Sequence, residues 1–405
     1  MTASRADPIA VTGVGLVTPL GADAGSVWRA WTAGESGVRF LAPDDSRLAR
    51  GVDPCALPEI GRAGFVRDFE PRHHIQQGLL RRMDWVSRMF VSSARQAYRD
   101  AGLTELDEVA RKRAAIVVGS QFGNQRETAR YTRRLIDEGL AAGSPLLFPN
   151  LVLNAPAGNA AIELGFAGPN LTVSEHEASG EAALAAALDL LRSEACDLAV
   201  VGGVDEFGEV YLTALAERRL LHPEALPGSA RRRRGWVVPG EAGAALLLES
   251  GAAARARGAR IYAVVEDAFT VGSAGVLYDL PSPDAAARTL TDCVDAHGPA
   301  DALLGLADGG EPRRAIDRAC LAALSERSGK RVGYATFREQ TGDSGSVGAV
   351  GVALAALALD HGTFPDQGGA AVPVRRVALL GAARSGVLAP ICLRAHDRAG
   401  ASGTT

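Results

Sequence analysis

Residues 171–191 have the sequence LTVSEHEASGEAALAAALDLL, in which a short apolar run passes through a polar turn into an alanine-rich segment. The pattern predicts a strand, a sharp turn and a helix. Glu177 lies at the centre of the turn, where free backbone N–H groups and the dipole of the following helix favour negative charge. Such a turn suits a thiolate or an oxyanion, whereas a carboxylate is a poor nucleophile towards a thioester at neutral pH.

The composition is that of a globular chain. Its 405 residues are too many for one ordinary core and suggest two domains or two fused halves. With 47% hydrophobic residues, 22% charged residues and a net charge of -4, we expect no disorder and no binding to nucleic acid or anionic lipid. The N-terminal residues lack the pattern of a signal peptide, and no apolar run reaches the roughly 18 residues that span a bilayer. We therefore expect a cytoplasmic protein.

Four further features of the sequence have both a functional and a structural interpretation. The glycine-rich GVGLVTPLG (13–21) lacks the third glycine of a dinucleotide fingerprint, so a structural turn and no cofactor are predicted. His73 and His74 would bind a metal or be solvated, and no third ligand is evident nearby. The run Arg231–Arg234 would meet an acidic carrier or a phosphate, or form a solvated loop. The cysteines lack paired or metal-ligand spacing, which predicts reduced thiols and no zinc site. They are Cys55, Cys196, Cys293, Cys320 and Cys392.

The order of strands and helices is repeated along the chain. The predicted strands of the first half are IAVTGVG (9–15), AAIVVGS (114–120), LTVSE (171–175) and DLAVVGG (197–203). They match, in order, RIYAVVE (260–266), DALLGLA (301–307), VGYAT (332–336) and RVALLGA (376–382). Strands that alternate with helices predict an α/β fold with parallel pairing. Two such halves, placed at residues 1–255 and 256–405, predict sheets stacked back to back, with the helix after each third strand at the centre.

Two stretches of the first half are ambiguous from pattern alone. The helix predicted over Asn124–Glu138 has Gln125, Thr128 and Thr132 at i, i+3 and i+7, a face that would line a channel or be solvated. The next stretch, SPLLFPNLVLNAPAGNAAIELG (144–165), is apolar and interrupted by proline. It is typical of a subunit interface or of an ordinary core segment.

Over nearly its full length the chain resembles the β-ketoacyl synthase family of the thiolase superfamily. The matching stretches are IAVTGVGLVTPLG (9–21), GPNLTVSEHEASG (168–180), DLAVVGGVDE (197–206), RGWVVPGEAGAALLLE (234–249) and ARARGARIYAVV (254–265). They occur in the order and spacing of the family. The resemblance implies a thiolase-like fold of two pseudo-duplicated halves in a five-layer αβαβα arrangement.

The resemblance also implies catalytic groups that this chain lacks. Active members use a cysteine nucleophile at the turn, two histidines that meet negative charge on the thioester, and a supporting lysine. The cysteine of the family pattern VSTACASG falls at Glu177. The histidines of the AHGTGT and TGH motifs fall at Leu306 and Asp343, and the lysine falls at Arg338. The aromatic gate of the GFGG loop falls in AARSG (382–386), which has no phenylalanine.

Loss of the nucleophile and both donors predicts a chain without condensation activity. It is similar to the chain-length factor, which pairs with an active ketosynthase-α subunit in bacterial type II polyketide synthases, although that group usually has glutamine where this chain has Glu177. The resemblance implies a heterodimer that receives an acyl carrier protein, with a tunnel for the growing chain at the subunit interface. The implied tunnel residues are Gln125, Thr128, Tyr131, Thr132 and Leu135. The implied interface residues are Phe148, Pro149, Asn150, Leu153 and Asn154. The resemblance places Gln125, Thr128 and Thr132 at the positions that stop the tunnel. Because none of the three is aromatic, we expect a tunnel that is polar-lined or runs on to Tyr131 or Leu135 and that holds a long chain, reduced or polyene.

Two other functions are compatible with this fold. A decarboxylase priming subunit would release carbon dioxide from malonyl carrier protein, but such enzymes keep the histidines that stabilise the enolate. An acyl hydrolase or transferase would use His176 and Glu177 as an acid–base pair, although adjacent side chains at a tight turn generally point apart.

Overall fold

The structure is a computed structural model that describes residues 7–40, 62–217, 237–273, 279–307 and 310–397. Cys55 and Arg231–Arg234 lie outside the described residues, so the hypotheses about them stay predictions. In the part of the chain that the structure describes, no helix is long and apolar enough to cross a membrane.

The strands and helices alternate as the sequence predicts. The strands are β1 (Ile9–Val17), β2 (Val38–Phe40), β3 (Arg62–Gly64), β4 (Ala114–Gly119), β5 (Asn170–Val173), β6 (Leu198–Asp205), β7 (Ala242–Ser250), β8 (Ala263–Ala268), β9 (Val271–Gly272), β10 (Ala302–Leu304), β11 (Gly333–Ala335), β12 (Thr363–Phe364), β13 (Val372–Pro373), β14 (Arg376–Ala382) and β15 (Val387–Arg394). The helices are α1 (Ala24–Thr32), α2 (Gln77–Leu80), α3 (Trp85–Asp100), α4 (Glu108–Lys112), α5 (Gln125–Glu138), α6 (Ala155–Leu164), α7 (Ser179–Arg192), α8 (Glu209–Glu217), α9 (Gly251–Ala256), α10 (Pro283–Asp295), α11 (Glu311–Ser328), α12 (Arg338–Thr341) and α13 (Gly348–His361).

The main sheet consists of two blocks of five strands with the same internal order. One block runs β5-β4-β6-β7-β1 and the other β11-β10-β14-β15-β8, with β9 beside β15. The blocks join where three residues of β1 pair with β8. Strands that occupy equivalent places in the two blocks are those that the repeat pairs, which confirms the predicted duplication. The boundary between residues 255 and 256 stays a prediction.

Strand direction corrects one expectation. Each block has three parallel strands, β5-β4-β6 and β11-β10-β14, but the other two strands of each block pair antiparallel. The predicted parallel pairing is therefore confirmed for three strands of each block and does not extend to the other two. In the second block the cause is the short turn of four residues between β14 and β15, since a tight connection can join only antiparallel strands.

Two helices lie between the blocks. Both α7 and α13 contact strands of each block, whereas α3 and α6 cover the outer face of the first block, and α10, with α11 packed on it, covers the second. The first twelve residues of α13, Gly348–Leu359, are all buried. Small residues dominate α7 and α13 because a helix between two sheets has little room for long side chains. The result is the predicted five-layer αβαβα arrangement.

Candidate functional site

The turn at the end of β5 separates His176 from Glu177. A 3-10 turn spans His176–Ala178, and His176 has a positive φ of 48°. The Ser179 hydroxyl donates to the His176 carbonyl at 2.6 Å and accepts from the Glu175 N–H at 3.0 Å, so the turn is held by its own side chain. His176 is exposed while Glu177 is buried. The two side chains point apart and form no acid–base pair.

Glu177 is bound by an arginine that sequence analysis missed. Its carboxylate is 9% exposed and accepts a hydrogen bond from the Arg384 backbone N–H at 3.0 Å, while the Arg384 guanidinium pairs with the other carboxylate oxygen. Burial alone would raise the pKa of Glu177, but the charges of Arg384 and Arg313 hold the pKa below its ordinary value. Arg384 lies in the turn between β14 and β15, within the stretch that matches the aromatic gate. The sequence signal that could have identified Arg384 is the presence of an arginine in the stretch that matches the aromatic gate.

Asp343 is bound by two buried arginines. Its carboxylate lies 2.7 Å from the Arg313 guanidinium of α11 and 3.2 Å from Nε of Arg338 in α12. Burial would raise the pKa of Asp343, yet the charges of both arginines hold it below its ordinary value. The backbone of Asp343 also donates to the Val238 carbonyl at 2.7 Å and accepts from the Gly240 N–H at 2.9 Å. Asp343 is therefore an ionised structural centre.

Glu181, one helical turn after Glu177, ends this series of charges. One oxygen lies 3.5 Å from the Arg338 guanidinium, and the other has no hydrogen-bond partner among the described residues. The side chain fits because Gly348 and Gly381 face it, and a Cβ at either position would overlap it. Burial raises the pKa of Glu181, and the charge of Arg338 offsets only part of that effect. Asp343 is paired with Arg313 as well as Arg338, whereas in the described part of the chain Glu181 has only Arg338, so the pKa values of the two carboxyl groups shift in opposite directions.

These contacts form one buried ionic network of alternating sign. In order, its members are Arg384, Glu177, Arg313, Asp343, Arg338 and Glu181. The step from Glu177 to Arg313 acts through charge alone, whereas the other steps are ion pairs. An isolated buried charge costs several kcal/mol of desolvation, so such a group persists only when opposite charges surround it. Each member is therefore needed by its neighbours, and the network fills the place where the sequence predicts the catalytic groups to be missing.

Leu306 lies beside the network and offers no polar side chain. Its backbone N–H donates to the Asp317 carboxylate at 2.8 Å, as does the N–H of Ala307. The Tyr334 hydroxyl donates to the same carboxylate at 2.8 Å. Asp317, which sequence analysis missed, thus fixes the segment after β10. That segment presents a buried leucine where a histidine donor would be needed.

Neither a reactive cysteine nor a metal centre is found among the described residues. Burial raises the pKa of Cys196 to about 11 and that of Cys293 and Cys320 to about 12, and it raises the pKa of Cys392 further. These thiols stay protonated at neutral pH and are poor nucleophiles. No group of three or more histidine, cysteine or acidic side chains among the described residues could hold a metal ion.

The five predicted tunnel residues lie along one side of α5, since Thr128, Tyr131, Thr132 and Leu135 are spaced i, i+3, i+4 and i+7. Thr128 and Thr132 are exposed to solvent, and Gln125 accepts a hydrogen bond from the Gly208 N–H at 3.3 Å. Tyr131 and Leu135 instead pack on the following turn, where a Cβ at Gly143 would lie 3.0 Å from the tyrosine oxygen and 3.6 Å from the leucine methyl. The structure therefore exposes Thr128 and Thr132 on this side of the helix. Gln125 is half-buried against Gly208, and Tyr131 and Leu135 are half-buried against the turn at Gly143.

The predicted interface residues lie in a stretch with many exposed apolar side chains. Phe148 is 59% exposed and its neighbour Leu146 is 88% exposed. Asn150 donates to the Arg82 carbonyl at 2.6 Å, and Leu153 packs near Gly123. Pro149 borders a cavity, and Asn154 is exposed immediately before α6. Exposed apolar side chains in such number are typical of a surface that another chain covers.

A cavity that sequence analysis missed lies between α3, α5 and this stretch. Its volume is about 890 Å³. Five arginines line it, namely Arg81, Arg82, Arg88, Arg126 and Arg130. Arg126 pairs with Glu206 and Glu241, and Arg130 pairs with Glu127. No carboxylate of the described residues pairs with the other three, so the cavity wall carries positive charge.

Known proteins resemble this chain in sequence and in structure. The family profile described as "Beta-ketoacyl synthase, N-terminal domain" matches residues 6–254. The 3-oxoacyl-[acyl-carrier-protein] synthase 2 of Coxiella burnetii is 27% identical over 293 residues, 71% of this chain and 67% of that protein. The solved ishigamide ketosynthase/chain length factor superposes with a TM-score of 0.81 at 26% identity, over 97% of this chain and 100% of that one. The ketosynthase complex AntDE:AntF has a TM-score of 0.79 at 18% identity, over 97% of this chain and 100% of that one, and shows the fold alone.

Proposed function

The chain belongs to the β-ketoacyl synthase family, and we propose that it is a non-catalytic subunit of the chain-length-factor type that pairs with an active ketosynthase. One observation carries the proposal. At the position of the nucleophile the chain has Glu177, whose two carboxylate oxygens are both engaged by Arg384. The likeness to the ishigamide ketosynthase/chain length factor supports the same conclusion.

Chemistry at this site would need groups that the network excludes. A thiolate must accept the acyl chain, and neutral donors must meet the charge that develops on the thioester oxygen. Asp343 presents negative charge and Leu306 presents none, so neither stabilises an enolate or an oxyanion. Loss of one such donor typically costs about 10²-fold in rate, and this chain lacks both as well as the nucleophile. The same deficit argues against a decarboxylase.

The open face of α5 supports a role in chain length. Thr128 and Thr132 point to solvent in the isolated chain, and a partner that covers them would convert the face into one wall of a tunnel. Both side chains are small, so the tunnel would extend past them and hold a long acyl chain, reduced or polyene. Tyr131 and Leu135, on the same side of the helix, would form the next part of this wall.

The exposed apolar side chains support a large subunit interface. Leu140 and Leu146 are more than four-fifths exposed, and Phe148 and Ile162 are more than half exposed. Stable interfaces bury roughly 800 Å² on each partner around an apolar centre, and these side chains supply such a centre. The ketosynthase-α subunit is the partner we propose, in the cytoplasm.

The cationic cavity supports a second partner, the acyl carrier protein of the complex. Arg81, Arg82 and Arg88 line a concave surface beside the proposed interface. An acidic carrier would be attracted to such a surface, and the attraction would weaken with salt. The carrier would deliver its acyl group to the cysteine of the partner.

Reconstitution tests the proposal. The purified chain alone should release neither carbon dioxide nor free acid from malonyl or acyl carrier protein, and it should form product only with an intact ketosynthase. Carbon dioxide release by the chain alone would support a decarboxylase instead, and acyl release would support a hydrolase. A chain that shows no association with the ketosynthase encoded beside it would contradict the proposal.

A further inference from the structure

The turn Ala383–Gly386 lies directly over the start of α7. Its ends are tied by hydrogen bonds from the Ala383 N–H to the Val387 carbonyl at 2.9 Å and from the Gly386 N–H to the Ala383 carbonyl at 3.0 Å. Gly386 has a φ of 86°, which a residue with a side chain rarely adopts. Ala383 of the turn forms a small, fully buried apolar cluster with Ala178 and Ala389. The turn thus covers the residue next to Glu177.

We propose that this turn is a latch, closed over the vacated nucleophile position by Arg384, and that it keeps acyl chains out of this subunit. The latch itself does not depend on the proposed function, but its consequence for acyl chains does. The closure uses both the backbone N–H and the guanidinium of Arg384, each bound to one oxygen of Glu177. A two-point attachment of this kind fixes the turn as well as the side chain.

The network holds the inner half of the latch in place. Glu177 is attracted by Arg313 as well as by Arg384, and Arg384 also acts on Asp343. Opening the turn would leave a buried carboxylate without its hydrogen-bond donors, which is costly. The inner members are almost fully buried, whereas the Arg384 side chain is 34% exposed. Arg384 is therefore the outermost member, and its replacement weakens the latch while it leaves both ion pairs of Asp343 in place.

Such a latch has a direct consequence for the pair. An active ketosynthase and this chain share one fold, so a growing acyl chain could in principle enter either subunit. The closed latch prevents the acyl chain from entering this subunit at Glu177, where no reaction would follow. The face of α5 then remains as the route for the acyl chain. This accounts for a strong ion pair at a site that has no chemistry to perform.

A cysteine probe tests the latch. Ala178→Cys places a thiol under the turn, and its alkylation by N-ethylmaleimide is followed at that peptide by mass spectrometry, which separates it from the native cysteines. Adding Arg384→Gln should raise the alkylation rate by about tenfold or more, because labelling follows the population of the open state. Adding Arg113→Gln, which removes an exposed ion pair with Asp197, should leave the rate unchanged.

Two results would overturn the latch. One is an alkylation rate that is the same with and without Arg384→Gln. The other is measured on chains without the probe, in case Ala178→Cys does not fold. Amide hydrogen exchange across residues 383–387 should be faster in Arg384→Gln than in the unmodified chain. Equal exchange rates in the two chains would refute the latch. Neither measurement involves a partner or turnover, so failure here is distinguishable from failure of the proposed function.

Discussion

Replacing Asp343 with asparagine removes the central negative charge of the ionic network and keeps the size of the side chain. Arg313 and Arg338 are both about 2% exposed, and each forms an ion pair with Asp343. After the substitution, an uncharged amide would replace the carboxylate that now pairs with both guanidiniums. Breaking a buried ion pair from one side typically costs 3–5 kcal/mol, so we expect Asp343→Asn to lower the free energy of unfolding by about that amount.

The measurement is urea denaturation followed by circular dichroism, with Asp197→Asn as the matched control. Asp197 pairs with Arg113 at short distance, but the two side chains are 64% and 39% exposed. Exposed pairs contribute about 0–1 kcal/mol, so the control should barely move the transition. If Asp343→Asn and Asp197→Asn shift the midpoint equally, the network does not carry the stability that its burial implies, and the argument is refuted.

The other predictions concern the buried acid, the proposed tunnel and the proposed interface. The pKa of Glu181 is higher in the folded chain than its ordinary value of 4.5, so the stability of the unmodified chain should fall as pH rises above 4.5. Glu181→Gln lacks this titration and should therefore gain stability relative to the unmodified chain over the same pH range. Equal changes in the free energy of unfolding of the two chains from pH 5 to 8 would exclude this. Thr132→Trp should shorten the products of the reconstituted pair, whereas Arg134→Trp, on the opposite side of α5, should not; identical product profiles would count against the tunnel. Phe148→Asp should weaken binding to the ketosynthase at least about tenfold, because it places a charge in an apolar contact. Val109→Asp should not, although Val109 on α4 is 71% exposed against 59% for Phe148. Equal affinities of the two variants would remove Phe148 from the interface.

Much of the fold could be predicted because it follows from local patterns. Strand runs, an alanine-rich helix after each third strand and the order of the repeats are all properties of consecutive residues. The direction of β7 and β15 was not predictable in that way. It depends on how a connection returns to the sheet, and a pattern of alternating strands and helices does not encode this.

The sequence predicts where some residues of the site lie, but not which of them contact one another. The sequence locates Glu177, Asp343 and Arg338 at places that match catalytic groups, and the structure brings these three into one network. The sequence contains an arginine, Arg384, within the stretch that matches the aromatic gate, but it does not show that Arg384 or Glu181 contacts the other members. The Arg384–Glu177 pair joins residues 207 positions apart, and in a chain rich in arginine nothing local tells which guanidinium reaches which carboxylate.

The central claim is that the chemistry takes place on the partner and not at Glu177. The most direct measurement is product formation by the reconstituted pair that contains Glu177→Gln, with complex assembly verified by size-exclusion chromatography. Glutamine keeps an oxygen that accepts hydrogen bonds from Arg384, so the account predicts a rate within about twofold of the unmodified pair. Loss of product from a fully assembled Glu177→Gln complex would contradict it.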